Sequence, residues 1–177
     1  MNLIFRLLHV ILFSRFRSVV GILDECITPY RVWFTDLDVL RHMNNGVYLS
    51  LQDLARMDYM IRAQAAPIIR KNNWYPVVAS ETIRFRKSLH FLQKFQIHTR
   101  LMSWDEKYIY LEHKFVSDGQ VIALGMIRAR FLRKSGGTVS PQELLQALNM
   151  STQAPAFPQH LTDWLAADQG HPRSLGL

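Results

Sequence analysis

The chain has 177 residues, a single cysteine and a formal net charge of +7, with 49% of its residues hydrophobic and 20% charged. Length and balance suit one compact soluble domain with a sizeable core. The lone Cys26 excludes an internal disulfide, which fits a reducing compartment, and no metal-ligand cluster, glycine-rich phosphate loop or internal repeat accompanies it.

The first seventeen residues, MNLIFRLLHVILFSRFR, read as a helix that is apolar over most of its surface. Asn2, Arg6, His9 and Arg17 form a polar side that Phe13 interrupts. Arg6 and Arg15 bracket an apolar stretch much shorter than the ~20 residues needed to span a bilayer. A secretory signal would add a small-residue cleavage site, and none follows. Two expectations stand side by side for residues 1–17: peripheral membrane contact with arginines facing anionic headgroups, or docking on the subunit itself or its partner.

Tyr30–Thr35 is rich in aromatic and β-branched residues and predicts a strand. An acidic loop, Asp36–Asn45, follows. Asn44 or Asn45 supplies the N-cap of a long helix, because a short carboxamide accepts from the free N–H groups of the first turn. Val47, Leu51, Leu54, Ala55 and Ile61 recur at helical spacing as one apolar stripe. Asp53 with Arg56 and Asp58 with Arg62 stand at spacings that pair on a helix. Pro67 is expected to close the helix. Four strands are predicted beyond it, at Val77–Lys87, Lys94–Ser103, Lys107–Val116 and Val121–Leu132. Asp118-Gly119 joins the last two as a hairpin turn, since both residues tolerate positive φ. The tail predicts a short helix at Pro141–Leu148 capped by Ser140, a linker over 151–158, a last helix at Gln159–Ala167 and a loose end from Asp168. The expected architecture is α+β: about five antiparallel strands wrapped around one long central helix, with extra N- and C-terminal helices.

The pattern D-x-D-x-x-x-H-x-N-N-x-x-Y, formed by Asp36, Asp38, His42, Asn44, Asn45 and Tyr48, resembles the signature of hotdog-fold thioesterases. The likeness is to the 4-hydroxybenzoyl-CoA thioesterase-like superfamily, especially its bacterial thioesterase-like branch. WYPVVASETIRFRKSL (74–89) and SWDEKYIYLEHKF (103–115) extend it over residues 28–135. The implied division is an amphipathic helix at 1–20, a hotdog domain at 28–135 and a helical extension at 136–177. The resemblance also implies a homodimer or dimer of dimers, with second strands pairing and sites at the interface. In one clade the second acid of the D-x-D pair is catalytic, which corresponds to Asp38. Plant acyl-ACP thioesterases share a D…HVNN pattern whose catalytic aspartate and histidine correspond to Asp38 and His42. Their functional asparagine falls on Leu40, and the histidine of Tol-Pal-linked thioesterases falls on Asn45.

Thioester hydrolysis needs a base or nucleophile, carbonyl polarisation and room for the thiol. Asp38 is the expected base or nucleophile, and an Asx-turn is the competing role for its carboxylate. Asp36 is expected to bond the loop backbone. The N–H groups of Asn45 and Gly46, at the positive end of the helix, are expected to stabilise the oxyanion. His42 either orients Asp38 or a water, or bonds the loop. Asp58 is the reserve catalytic acid, because a further hotdog clade carries a glutamate on its central helix. Glu81 reads as a partly buried carboxylate, and an arginine partner is the alternative role for both acids. His113 and Cys26 read as core residues. Asn44 and Tyr48 are expected beside the substrate. Arg84 and Arg86 on one strand, with Arg128 and Arg130 on its neighbour, would form a patch for coenzyme A phosphates or an acidic carrier protein. Nucleic acid is not expected, for want of a recognition motif. The expected activity is hydrolysis of acyl-CoA or acyl-ACP without cofactor or metal, in the cytoplasm or peripherally at the inner membrane surface. The alternative is a non-catalytic acyl-binding or scaffold protein on the same fold.

Overall fold

The computed structural model describes residues 3–150 and 153–169, so Asn2, part of the expected linker and most of the loose end lie outside the described residues. Helix α1 (Leu3–Phe13) continues into a 3-10 turn at Ser14–Phe16. Strand β1 (Cys26–Arg31) leads to a 3-10 turn at Phe34–Asp36 and then to the central helix α2 (Asn45–Arg62). Helix α3 (Ala65–Lys71) precedes β2 (Trp74–Phe85), β3 (Lys94–Trp104), β4 (Ile109–Ser117), β5 (Gln120–Arg133) and the short β6 (Thr138–Val139). Helices α4 (Pro141–Ala147) and α5 (Gln159–Gln169) end the described chain.

The strands form one antiparallel sheet in the order β1-β3-β4-β5-β2, with β6 paired to β5. The sheet buries the apolar side of α2. Tyr48, Leu51, Leu54 and Ala55 pack there against Phe95, Ile97, Phe115 and Ile122. Alternation along β4 and β5 turns Tyr110 and Met126 to the other face, where Leu161, Trp164 and Leu165 of α5 cover them. The Asp118-Gly119 hairpin has positive φ at both residues, 49° and 72°.

Two boundaries differ from expectation. The first strand runs four residues earlier than Tyr30–Thr35, because the Asp36 carboxylate takes the Trp33 N–H at 2.7 Å and turns the chain out of the sheet. Pro67 does not close α2. The break falls at Gln64, whose φ of 58° is left-handed, and Pro67 stands in the first turn of α3, where a missing N–H costs nothing. Helix α1 is docked on its own subunit. Arg6 is buried and its guanidinium reaches Asp36 at 2.5 Å and the Arg31 carbonyl at 3.2 Å. Arg17 likewise points inward, onto Asp58 at 2.9 Å. Of the two arrangements expected for this segment, these arginines take the docked one: a buried carboxylate is a better partner for each than water. The outward side carries Ile4, Phe5, Leu8 and Leu12 instead.

Candidate active site

The acidic loop is shaped by its own carboxylates. Asp36 is buried and accepts from Trp33 and Arg6, while its backbone carbonyl receives the Asn44 N–H at 2.8 Å. This fixes the point where α2 begins. Asp38 makes an Asx-turn, its Oδ1 accepting from the N–H groups of Leu40 at 2.8 Å and His42 at 3.1 Å. The two roles weighed for Asp38 are therefore compatible. The turn occupies Oδ1 and, among the described residues, leaves Oδ2 without a hydrogen bond.

That side chain lines a cleft of about 250 Å³ together with His42, Asn45, Tyr48, Phe85 and Arg86. Tyr48 is buried and its ring meets Phe85 edge-on at 4.9 Å, closing the bottom of the cleft. Burial raises its phenol pKa, so the group stays neutral at physiological pH. The His42 ring stands edge-on to His90, with centroids 5.0 Å apart. Only the His42 backbone N–H donates to Asp38; among the described residues no hydrogen bond joins its imidazole to that carboxylate.

At the helix start the two expected oxyanion donors part company. The Asn44 side chain caps α2 by accepting from the Gly46 N–H at 2.8 Å. Gly46 therefore has no free donor for a substrate, and Asn44 acts as cap with its carboxamide oxygen already engaged. The Asn45 N–H, first of the helix and at the positive end of its dipole, has no acceptor among the described residues, and Asn45 is one of the residues that line the cleft.

The arginine patch does not assemble as expected. Arg86 lines the cleft and Arg84 is exposed nearby. Arg128 pairs across the sheet with Ser80 and Arg130 with Val77, whereas Arg84 lies opposite Leu124, four residues along β5 or about 13 Å away. Arg128 is also taken up by Asp168 at 2.9 Å and by the Tyr108 ring, 4.9 Å from its guanidinium carbon. Lys87 and Ser88 join Arg86 at the cleft instead. Their place could be found only from the register of β2, though they stand in the segment 74–89 that carried the resemblance.

Asp58 lies away from this cleft. It is fully buried, and its Oδ2 accepts from Thr28 at 2.6 Å and Arg17 at 2.9 Å, with Arg62 at 3.5 Å. Its role is to anchor α2 to β1 and the segment after α1. Glu81 is exposed rather than partly buried: it keeps the face of Ile83 and Phe85, but β2 is an edge strand, where that face is open to solvent. Burial, with the nearby Asp58 charge, pushes the Cys26 thiol up to about 11, so it is no nucleophile at neutral pH.

The sequence pattern of the thioesterase-like superfamily matches residues 32–165. Protein THEM6 of Danio rerio is 35% identical over 147 residues, covering 81% of this chain and 70% of that protein. "Probable thioesterase YBR096W" of Saccharomyces cerevisiae is 25% identical over 126 residues, 70% of this chain and 53% of its own length. Among solved structures, the YbaW probable thioesterase of Escherichia coli aligns over 69% of this chain and 95% of its own, with a TM-score of 0.65 and 25% identity. With its antiparallel sheet curled around one central helix, the chain belongs to the thioesterase-like superfamily and has the hotdog fold.

Proposed function

We propose that the protein hydrolyses acyl-CoA or acyl-ACP thioesters at the Asp38 cleft. The observation that carries this is the pairing of an unengaged carboxylate oxygen with an unpaired N–H at a helix start in one cleft. Oδ2 of Asp38 attacks the carbonyl or deprotonates a water, and the Asn45 N–H, with the helix dipole behind it, stabilises the oxyanion. Arg86 and Lys87 at the rim suit the phosphates of the thiol carrier. A thiol-release assay over acyl-CoAs of graded length tests the proposal. Turnover is the expected result; tight acyl-CoA binding without release would favour the scaffold alternative.

Two further features belong to this reading. Strand β2 lies at the sheet edge and exposes Tyr75, Val78 and Phe85 along twelve residues, an edge suited to pairing with its own copy. Sedimentation equilibrium should give two or four times the 20.7 kDa chain mass, and a monomer at micromolar concentration would sink the dimer. The outward face of α1 suits peripheral contact with a lipid surface at the cytoplasmic side, although no helix among the described residues is long and apolar enough to cross a membrane. Vesicles containing anionic lipid should co-sediment the full chain and lose a Leu8→Asn/Leu12→Asn variant. Equal sedimentation of the two would remove that contact.

A further inference from the structure

Beneath the second half of α2 lies a second, partly open chamber of about 240 Å³, walled by apolar side chains that include Met57, Met60, Leu111 and Phe131. One wall is formed by α4 and the residue that caps it, through Leu144 and Leu148. The Asp38 cleft touches α2 at Asn45 and Tyr48, and the chamber touches it from Asp53 and Arg56 to Met57 and Met60. At a rise of 1.5 Å per residue the nearest of these, Tyr48 and Asp53, stand about 8 Å apart along the helix.

One end of this chamber is polar. Arg56 lines the wall; its Nη2 pairs with Asp53, but its Nη1 is buried without an acceptor. One turn earlier Gln52 is fully buried, and neither atom of its carboxamide has a partner among the described residues. Gln52 lies flat on the sheet at Gly125, where an added Cβ would come within 2.6 Å of its nitrogen. His113 is the cross-strand neighbour of Gly125 and is also fully buried. Its Nδ1 is 2.9 Å from the Thr99 hydroxyl, and its Nε2 has no partner. Ile109, Leu111 and His113 alternate along one face of β4, which leads from the apolar wall to these polar groups.

A buried polar group without a partner destabilises the fold, and unfilled apolar space lowers stability further. Four unpaired polar atoms beside an apolar chamber are therefore a costly arrangement, and one amphiphilic molecule relieves both costs. We propose that this chamber binds a monocarboxylate with a medium-length hydrocarbon tail, its carboxylate accepting from Arg56 Nη1 and Gln52 Nε2 and its tail lying over α4. At about 30 Å³ per water-sized group the space holds roughly eight such groups, close to an octanoate chain. Burial lowers the Arg56 pKa to about 10, offset by the nearby Glu81 charge, so the guanidinium is still cationic at neutral pH. Burial, reinforced by Arg56, holds the His113 pKa well below its ordinary value of 6.5, so the ring there is neutral and adds no competing charge. The acid released by thioester hydrolysis is a ligand of this class; only that choice of physiological source rests on the proposed activity.

Calorimetric titration of the full chain with sodium octanoate at pH 7.5 tests the site. Wild type should bind one equivalent saturably. Arg56→Met should bind at least tenfold more weakly, Arg56→Lys should recover part of the loss, and both should keep wild-type affinity for 1-octanol. Leu144→Trp, which fills the space beside α4, should lose both ligands, and Asp38→Asn should bind octanoate as wild type does. No saturable binding by wild type, equal affinity in Arg56→Met, or loss of binding in Asp38→Asn would each overturn the proposal. Heat is read without turnover, so an inactive protein that binds octanoate would refute the hydrolase and leave this site standing.

Discussion

Asp38→Asn should lower kcat for acyl-CoA hydrolysis by about 10²–10⁴-fold with its thermal midpoint nearly unchanged, the range expected when a base or nucleophile in direct contact with the reacting group is removed. Asparagine is the informative substitution. Its carboxamide oxygen can still accept from the Leu40 and His42 N–H groups, so the Asx-turn survives while the oxygen that faces the cleft becomes an uncharged amide nitrogen. Alanine would remove the turn and the chemistry together and could not separate them. Thiol release under saturating substrate, paired with a melting curve, makes the measurement. An Asp38→Asn protein that retains more than a tenth of wild-type kcat would move the chemistry to another group.

Asp58→Ala is expected to be the most damaging single change to stability, at about 3–5 kcal/mol, the cost of removing one partner from a buried charge pair. The loss leaves Arg17 and Arg62 facing each other across a space without their anion and strands the Thr28 hydroxyl. Because 1 kcal/mol shifts the midpoint by about 2–4 °C in a domain of this size, differential scanning fluorimetry should show a fall of roughly 6–20 °C. Activity per folded molecule should be retained, since Asp58 does not line the cleft. A variant that melts normally but has lost turnover would restore Asp58 as the catalytic acid.

The two acids illustrate how much of the site could be seen without coordinates. Asp38, His42, Asn45 and Tyr48 belong to one contiguous motif. A loop of that length running into a capped helix leaves few ways for them to be far apart, so they meet in one cleft. The paired spacings within α2, Asp53 with Arg56 and Asp58 with Arg62, are local and also formed. Gly46 shows where local reasoning stops. Its N–H is free by helix geometry, but whether the preceding asparagine side chain claims it depends on a rotamer.

What the amino-acid order alone determined was the period of each segment, the turn at Asp118-Gly119, a cap for α2 at Asn44 or Asn45, the cap at Ser140, and so the succession of one strand, a central helix and four strands. These depend on neighbours within a few residues. The tertiary structure alone decided which charges face each other. Arg6 reaches Asp36 across thirty positions, Arg17 finds Asp58 across forty-one, and Arg128 goes to Asp168 instead of joining Arg84. The polar side of the chamber beneath α2 likewise draws on α2 and β4 together, with α4 forming another wall. Desolvation drives these pairings: a charge carried into the core takes whichever opposite charge the packing brings within reach, and sequence spacing has no say in that choice.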